Sequence, residues 1–210
     1  MSSPIPAARW RWLGVLVILA LVLTQLWSAA RPAAAAGSVN LSALGVAYTQ
    51  DFNTLASTST SSTVPTGWDF SESGTSANTT YTAGTGSGTT GDTYSFGSSS
   101  AADRAFGSLQ SNALIPTIGA SFTNNTGSPI TSLDIAYTGE QWRIGNTSTA
   151  RDDRLDFQYS TDATSLTSGT WTDVNALDFT NLVKTELLRP RSMAMRMRIA
   201  RRLLVRSAIC

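Results

Sequence analysis

Aromatic side chains recur at short intervals between residues 37 and 182, in a stretch where Ser and Thr make up about a third of the residues. No segment of this stretch has helical periodicity. Disordered linkers seldom carry so many large apolar side chains, and Thr, which is β-branched, favours extended backbone. The residues that mark the stretch are Phe52, Trp68, Phe70, Tyr81, Tyr94, Phe96, Phe106, Phe122, Tyr137, Trp142, Phe157, Tyr159, Trp171 and Phe179. It is therefore predicted to fold as one β-rich domain.

Alternating side chains and turn residues predict short strands within this domain. In residues 130–137 the predicted buried face comprises Thr131, Leu133, Ile135 and Tyr137, and the opposite face Ile130, Ser132, Asp134 and Ala136. Residues 155–160 alternate in the same way. Asn124–Gly127 is a turn cluster, and Gly84–Gly91 is predicted to be a loop that does not cradle phosphate, because neither a Lys nor a helix follows it. Short strands with Gly, Asn, Ser and Pro between them favour an antiparallel sandwich.

Charge divides the chain into three blocks. Residues 1–36 hold three Arg and no acid, residues 37–182 hold four Arg and thirteen Asp or Glu, and residues 183–210 hold seven Arg and one Lys against one Glu. The near-neutral net charge of +1 hides these differences. The blocks predict three parts: a signal peptide (1–36), an acidic domain (37–182) and a basic tail (183–210).

The first block has the three parts of a secretory signal. Arg9 and Arg11 form a positive start, Leu13–Trp27 is a mostly apolar run, and Ala34–Ala36 precedes Gly37 as a small-residue cleavage site. A spanning helix needs about 20 apolar residues, so retention as a membrane anchor is the less favoured alternative. We expect the mature chain to begin near Gly37 and to be secreted or displayed at the cell surface.

The tail changes composition abruptly after Leu182, to Arg, Met and Leu. Alternation over residues 193–199 is strand-like, but Arg201–Leu204 breaks it, so an irregular segment is predicted. If its Arg codons begin with CG, the bases of residues 192–200, read one position out of register, encode an Asp/Asn-, Gly- and Ala-rich string. Such a string has the polar character of the domain before it. The tail is therefore predicted to be translated in a shifted frame.

Several short motifs follow one another in a fixed order through the domain. They are Asp51–Leu55, Pro65–Trp68, Gly91–Gly97, Asp103–Gly107, Tyr137–Arg143 and Asp153–Ser160. Together they resemble a jelly-roll-like module found in large secreted or surface-anchored bacterial proteins, where it also occurs beside extracellular nuclease domains. The resemblance covers about residues 48–180. It implies a jelly-roll-like β-sandwich and an extracellular setting, and no known activity.

The same resemblance implies that the domain is incomplete. Modules of this kind continue with a Trp-rich strand and a closing Asp-Asp segment, and this chain has neither. We therefore expect a fragment that lacks its final strands. Unpaired sheet edges would make such a product prone to aggregation.

Residue types exclude much catalytic chemistry. The chain has no His, and Cys210 is the only Cys, so neither a Ser-His-Asp nor a Cys-His arrangement can be built. A zinc site with His or Cys ligands and an internal disulfide are excluded as well. Carboxylate-pair chemistry stays open. Glu140 beside Trp142 and Arg143 could serve as an acid in a sugar groove, although pairing with Arg143 or another Arg is the simpler interpretation.

Calcium is the one cofactor considered, because Asp side chains suit hard cations. Asp51, placed at the start of the first strand, is the candidate ligand, and the missing closing strand predicts weak calcium dependence at most. Asp152 and Asp153 are a second candidate, but an exposed turn beside Arg151 and Arg154 is the simpler interpretation. Trp68, Trp142 and Trp171 could stack on sugar rings, with core packing as the default.

These observations predict a secreted, non-catalytic β-sandwich module that serves adhesion or accessory binding within a larger surface protein. Its expected partners are carbohydrate or cell-surface material. No nucleic-acid partner is expected, and membrane contact only through an uncleaved signal segment. The alternative is the N-terminal part of an extracellular hydrolase, such as a nuclease, without its catalytic domain.

Overall fold

The computed structural model describes residues 37–144, 150 and 152–184, and the backbone of residues 195–204. Within these residues the chain is all-β, with one 3-10 turn at Asn175–Leu177 and no α-helix, so the all-β part of the predicted fold is confirmed. The predicted signal peptide lies outside the described residues. The strands are β1 (Val39–Leu41), β2 (Thr60–Ser61), β3 (Trp68–Ser73), β4 (Tyr81–Gly84), β5 (Asp92–Phe96), β6 (Ala105–Leu109), β7 (Ile115–Ala120), β8 (Phe122–Asn124), β9 (Ser132–Gln141), β10 (Arg154–Leu155), β11 (Gln158–Tyr159), β12 (Thr172–Asp173), β13 (Phe179–Thr180) and β14 (Met195–Leu204).

The described strands form one four-stranded sheet, in the order β2-β4-β5-β6, and several two-stranded ribbons. The ribbons are β3–β7, β9–β14, β1–β8, β10–β13 and β11–β12. Most pairs are antiparallel, as predicted, but β1–β8 and β4–β5 are parallel. The prediction of a purely antiparallel arrangement is therefore wrong at two places.

The parallel β4–β5 pair explains why the chain is rich in glycine between these strands. Adjacent parallel strands usually need a long crossover, often a helix, to bring the chain back to its starting edge. Here only residues 85–91 make the return. The predicted loop over Gly84–Gly91 is confirmed, except that Gly84 is the last residue of β4. The compact return keeps this loop beside the sheet.

The best-packed part of the core lies between the β3–β7 ribbon and the four-stranded sheet. Phe70 of β3 meets the ring of Tyr81 of β4 edge to face, and Phe106 of β6 contacts both rings. Tyr81 is fully buried, and its hydroxyl donates to the Thr63 carbonyl and accepts from the Ala56 amide, so its polar end is satisfied. This contact between ribbon and sheet is consistent with a β-sandwich.

Strand β9 follows the predicted alternation through most of its length. Leu133, Ile135 and Tyr137 are partly buried, whereas Asp134 and Ala136 are exposed. The prediction fails at the start of the run, where Ile130 is buried and Thr131 is exposed. The strand begins only at Ser132, so the two-residue period does not apply to these earlier positions.

The Asn124 turn and the 155–160 segment give opposite outcomes. Asn124 accepts the Thr126 amide with its side-chain oxygen, and Gly127 adopts a φ of +75°, which confirms the turn. Residues 155–160, in contrast, do not form one alternating strand. They divide between β10 and β11, and Leu155 is 51% exposed although the alternation predicted it to be buried.

The tail departs from its predicted irregularity. Residues 195–204 form a regular strand, antiparallel to β9, with a register from Met195 opposite Gln141 to Leu204 opposite Ser132. Backbone pairing depends on available N–H and C=O groups along an edge, so a break in side-chain alternation at Arg201–Leu204 does not end it. The shifted reading frame concerns the gene and stays a prediction, for which resequencing is the test.

Candidate functional site

A cleft of about 350 Å³ lies beside the sheet strands β4 and β5, and we call it the β5 groove. Its volume is within the range of about 300–1,000 Å³ that small-ligand sites occupy. Three segments supply most of its wall: residues 57–58, residues 82–88 and residues 98–100. The other lining residues are Tyr94, Phe96, Arg104, Leu109 and Arg143. The groove thus collects residues from loops that the strand pairing brings together.

The glycine-rich return loop is held against the end of β9. Gly86 has a φ of +81°, and a side chain there would overlap the Trp142 carbonyl oxygen. Only glycine therefore fits this position without strain. The Arg143 guanidinium donates to the Gly88 carbonyl from the same side. These contacts join the loop to Trp142 and Arg143 and form one wall of the groove.

Three aromatic rings lie in succession beside this wall. Tyr94 and Phe96, two residues apart on β5, have ring centroids 4.9 Å apart, and Phe96 and Trp142 are stacked at 5.9 Å with an interplanar angle of 10°. Glycines on the flanking strands make room for the rings. A Cβ at Gly84 would lie 2.9 Å from the Tyr94 ring, and one at Gly107 would lie 3.0 Å from the Phe96 ring.

Arg104 has a structural role in the groove. It is 4% exposed, and its guanidinium donates to the Ser95 hydroxyl at 2.9 Å and to the Ser95 and Ser98 carbonyls. Desolvation by burial lowers the pKa of this guanidinium, and the nearby Tyr81 and Asp103 oppose that effect. Because each of its nitrogens donates to strand β5 or the turn after it, Arg104 fastens the 98–100 turn.

The Arg143 guanidinium makes fewer hydrogen bonds than the Arg104 guanidinium does. Its Nη1 donates to the Gly88 carbonyl, but its Nε is buried and has no hydrogen-bond acceptor among the described residues. A buried donor without an acceptor is uncommon in folded proteins and costs about 1–3 kcal/mol. Arg143 therefore brings to the groove a cation with an unused donor.

The remaining lining residues are mostly small and hydroxylated. Ser57, Thr58, Thr85 and the three serines 98–100 are exposed at the rim. Thr82 lies deeper and donates its hydroxyl to Asp92 at 2.5 Å. No Asp or Glu is among the described lining residues. The groove can thus offer hydroxyls, loop amides, aromatic edges and a guanidinium to a ligand.

A carboxyl pair, Glu72 on β3 and Asp92 on β5, lies next to the groove. Thr93 donates its amide to both side chains and its hydroxyl to Glu72 at 2.8 Å. Burial raises the pKa of Asp92; the Thr82 hydroxyl opposes this, and the adjoining Glu72 carboxyl reinforces it. Glycosidase carboxyl groups stand at least about 5 Å apart to admit the sugar. Both carboxyl groups instead accept the same Thr93 amide, so they share one backbone donor rather than flank a sugar.

The calcium candidates are dispersed. Asp51 lies in an exposed turn rather than at the start of a strand, and its carboxylate accepts the amide and the side chain of Asn53. Asp152 pairs with Lys184, and the Asp153 amide donates to Asn181. Within the described part of the chain, no three Asp, Glu, Cys or His residues are grouped as a metal site.

The other sequence candidates separate in space. Glu140 accepts the Trp142 indole N–H at 3.1 Å, and its register partner on β14 is Arg196. Trp68 packs edge-on against Phe52, and Trp171 donates to the Ser168 carbonyl. Of the three tryptophans considered for sugar stacking, Trp142 is the one beside the groove.

Two groove features were missed from sequence. Tyr94 and Phe96 are aromatic markers and belong to the Gly91–Gly97 motif, but no site role was predicted for them, although their two-residue spacing next to a glycine-rich run indicates a ring pair on one strand face. The unpartnered Nε of Arg143 depends on the Gly88 contact, which no sequence pattern reveals. The loop itself was identified, but not its place in a cleft.

Among the described residues, no helix has the length and apolar character needed to cross a membrane. Comparison of the chain with protein-family models, with curated proteins and with solved structures gives no match.

Proposed function

We propose that this chain is a secreted, non-catalytic β-sandwich module of jelly-roll type, part of a larger surface protein, and that it binds carbohydrate in the β5 groove. The observation that carries the proposal is the composition of that groove. It combines exposed hydroxyls, glycine backbone and aromatic rings in a volume suited to a small ligand.

The groove matches the two chemical sides of a sugar. Sugar hydroxyls both donate and accept hydrogen bonds, as do Ser and Thr hydroxyls and loop amides. The C–H face of a sugar is apolar and packs against aromatic rings. We expect the half-buried Trp142 to supply such a ring at the edge of the groove, because it stacks on the lining residue Phe96 and is held by the Glu140 carboxylate.

Binding without turnover is supported by the residue types. The chain has no His and one Cys, which removes the common nucleophile and base pairs. The Glu72 and Asp92 carboxyl groups accept the same Thr93 amide, which does not suit a pair that must flank a glycosidic bond. An adhesion or accessory-binding role needs neither feature.

A glycan array followed by calorimetry on the full chain tests the proposal. Filling the groove from its rim by Ser99→Trp is expected to weaken binding about tenfold or more, because bulk at this exposed position competes with the ligand. Thr89→Trp is the matched control, since Thr89 is exposed in the return loop but does not line the groove. Trp142→Ala is expected to weaken binding and Trp171→Ala to leave it unchanged.

Binding that survives Ser99→Trp at full strength would contradict the proposed site. Turnover of any glycan by the purified chain would contradict the non-catalytic assignment. Melting temperatures of all four variants show whether lost binding reflects lost folding.

A further inference from the structure

We infer that the β5 groove selects acidic carbohydrate, and that Arg143 holds the anionic group of the sugar, a carboxylate or a sulfate. The inference rests on the proposed carbohydrate function and names its ligand class. Two independent observations carry it: the sign of charge in the groove and the unused donor on Arg143.

Charge in the groove is opposite to charge in the domain. Residues 37–182 contain thirteen acidic residues and four Arg. The groove lining includes two of the four Arg, Arg104 and Arg143, and none of the acidic residues. The Glu72–Asp92 pair lies next to the groove, but the charged side chains of the lining itself are both cations, and a cationic lining attracts anions locally. This pattern favours a ligand that brings an anionic group into the cleft.

Of the two arginines in the groove lining, Arg143 is the one with N–H donors that make no hydrogen bond to the described residues. All the nitrogens of Arg104 donate to Ser95 or Ser98, so that side chain is committed to the fold. Arg143 uses Nη1 on the Gly88 carbonyl, has a buried Nε without an acceptor, and has no hydrogen bond from Nη2 among the described residues. Nε and Nη2 together form one edge of the guanidinium.

That edge has the geometry of oxyanion recognition. Two parallel N–H groups of a guanidinium match the two oxygens of a carboxylate or a sulfate, an arrangement that lysine cannot reproduce. A ligand oxyanion would engage Nη2 from the groove, and a shift of the side chain about the Gly88 contact would be needed for the same anion to satisfy the buried Nε. Trp142, adjacent in sequence, stacks on Phe96, which lines the groove.

Calorimetric titration of the full chain with three oligosaccharides of equal length tests this. The probes are a homogalacturonan oligomer, a sulfated galactan oligomer and a neutral galactan oligomer. A charged bidentate contact is expected to give at least one anionic oligomer a preference of about tenfold to a hundredfold over the neutral one. The homogalacturonan and sulfated arms distinguish a carboxylate from a sulfate as the bound group.

The variants assign that preference to a residue. Arg143→Gln is expected to remove the preference, because it weakens binding of the anionic oligomer more than binding of the neutral one, and Arg143→Lys to restore only part of it because the paired N–H edge is absent. Lys184→Gln removes an equal charge from an exposed cation outside the groove and is the matched control. Melting temperatures verify that each variant folds.

The experiment distinguishes failure of the acidic-carbohydrate inference from failure of the proposed carbohydrate function. Neutral and anionic oligomers bound equally, or a preference that persists in Arg143→Gln, would overturn the inference and leave the carbohydrate function standing. Binding of none of the three oligomers would count against both. A preference lost equally in Lys184→Gln would assign it to overall charge and would also overturn the inference.

Discussion

The domain contains two regions that are stabilised in different ways. The long-strand region, residues 60–141, has strands of up to ten residues and an aromatic core around Phe70, Tyr81 and Phe106. In the short-strand region, residues 152–184, strands β10 to β13 have two residues each. Its buried apolar residues are Leu177 and Phe179.

Polar side chains replace missing strand pairs in the short-strand region. Gln141 accepts the amides of Leu182 and Val183 and donates to the Val183 carbonyl. Asp178 accepts the Phe157 amide and pairs with Arg154. These side chains satisfy backbone groups that a longer ladder would otherwise pair.

The difference shows that a Ser- and Thr-rich domain can be stabilised in two ways, by a buried aromatic core and by hydrogen bonds from side chains to the backbone. Apolar rings give the long-strand region a core whose stability scales with buried area. Side-chain to backbone hydrogen bonds, each worth about 0.5–1.5 kcal/mol, give the short-strand region a defined path with less stability. We therefore expect the short-strand region to open first, as local unfolding rather than as part of the global transition.

The largest effect is expected from the long-strand core. Phe70→Ala removes a buried ring that contacts Tyr81 and Phe106, which should lower the free energy of unfolding by about 3–5 kcal/mol. Because that loss is a large part of a domain's stability, both regions should unfold together. Denaturant titration followed by fluorescence measures it. Leu155→Ala, at an exposed position, is the control and should change little.

A smaller effect is expected at the contact between the regions. Gly139 of β9 lies under the Phe179 ring, and a side chain there would overlap it. Gly139→Ala should displace Phe179 and cost about 1–3 kcal/mol, confined to the short-strand region. Hydrogen exchange should accelerate in residues 152–184 and stay unchanged in residues 92–109. Thr138→Ala, at an exposed neighbour on the same strand, is the control. Equal acceleration in both regions would refute the separation.

The smallest effect is a pH dependence within the long-strand region. The pKa of Asp92 is raised above its ordinary value of 3.8, so the folded state holds that proton more tightly than the unfolded state does. The resulting stabilisation is complete below pH 3.8 and is lost as the pH rises through the raised pKa. Asp92→Asn, whose amide can donate to Glu72, should remove this slope and raise the melting temperature at neutral pH. Melts from pH 3 to 8 measure the change, with Asp51→Asn as the control. A slope that Asp92→Asn leaves unchanged would refute the assignment.

The sequence predicted best where one face of a strand meets the core. Alternation identified Leu133, Ile135 and Tyr137 correctly because a two-residue period maps directly to the two faces of a strand. It failed at Leu155, where two strands of two residues are too short for a period to have meaning. The Asn124 turn was predictable because it depends on neighbouring residues alone.

The groove could not be predicted from the sequence, because its formation depends on which strands pair rather than on a local pattern. Its walls come from segments separated by tens of residues, and the parallel β4–β5 pairing that assembles them contradicts the usual rule for short connections. The loop, the aromatic pair and Arg143 could each be noticed singly. Their meeting depends on strand order, which local pattern does not determine.

Hydrogen exchange of the full chain with and without a bound acidic oligosaccharide tests the central claim most directly, namely that the β5 groove is the ligand site. Bound ligand is expected to slow exchange at residues 84–88, 98–100 and 143, which line the groove. Residues 163–171, which include Trp171 and do not line the groove, should exchange unchanged. Protection at residues 163–171 with none around Arg143 would contradict the claim.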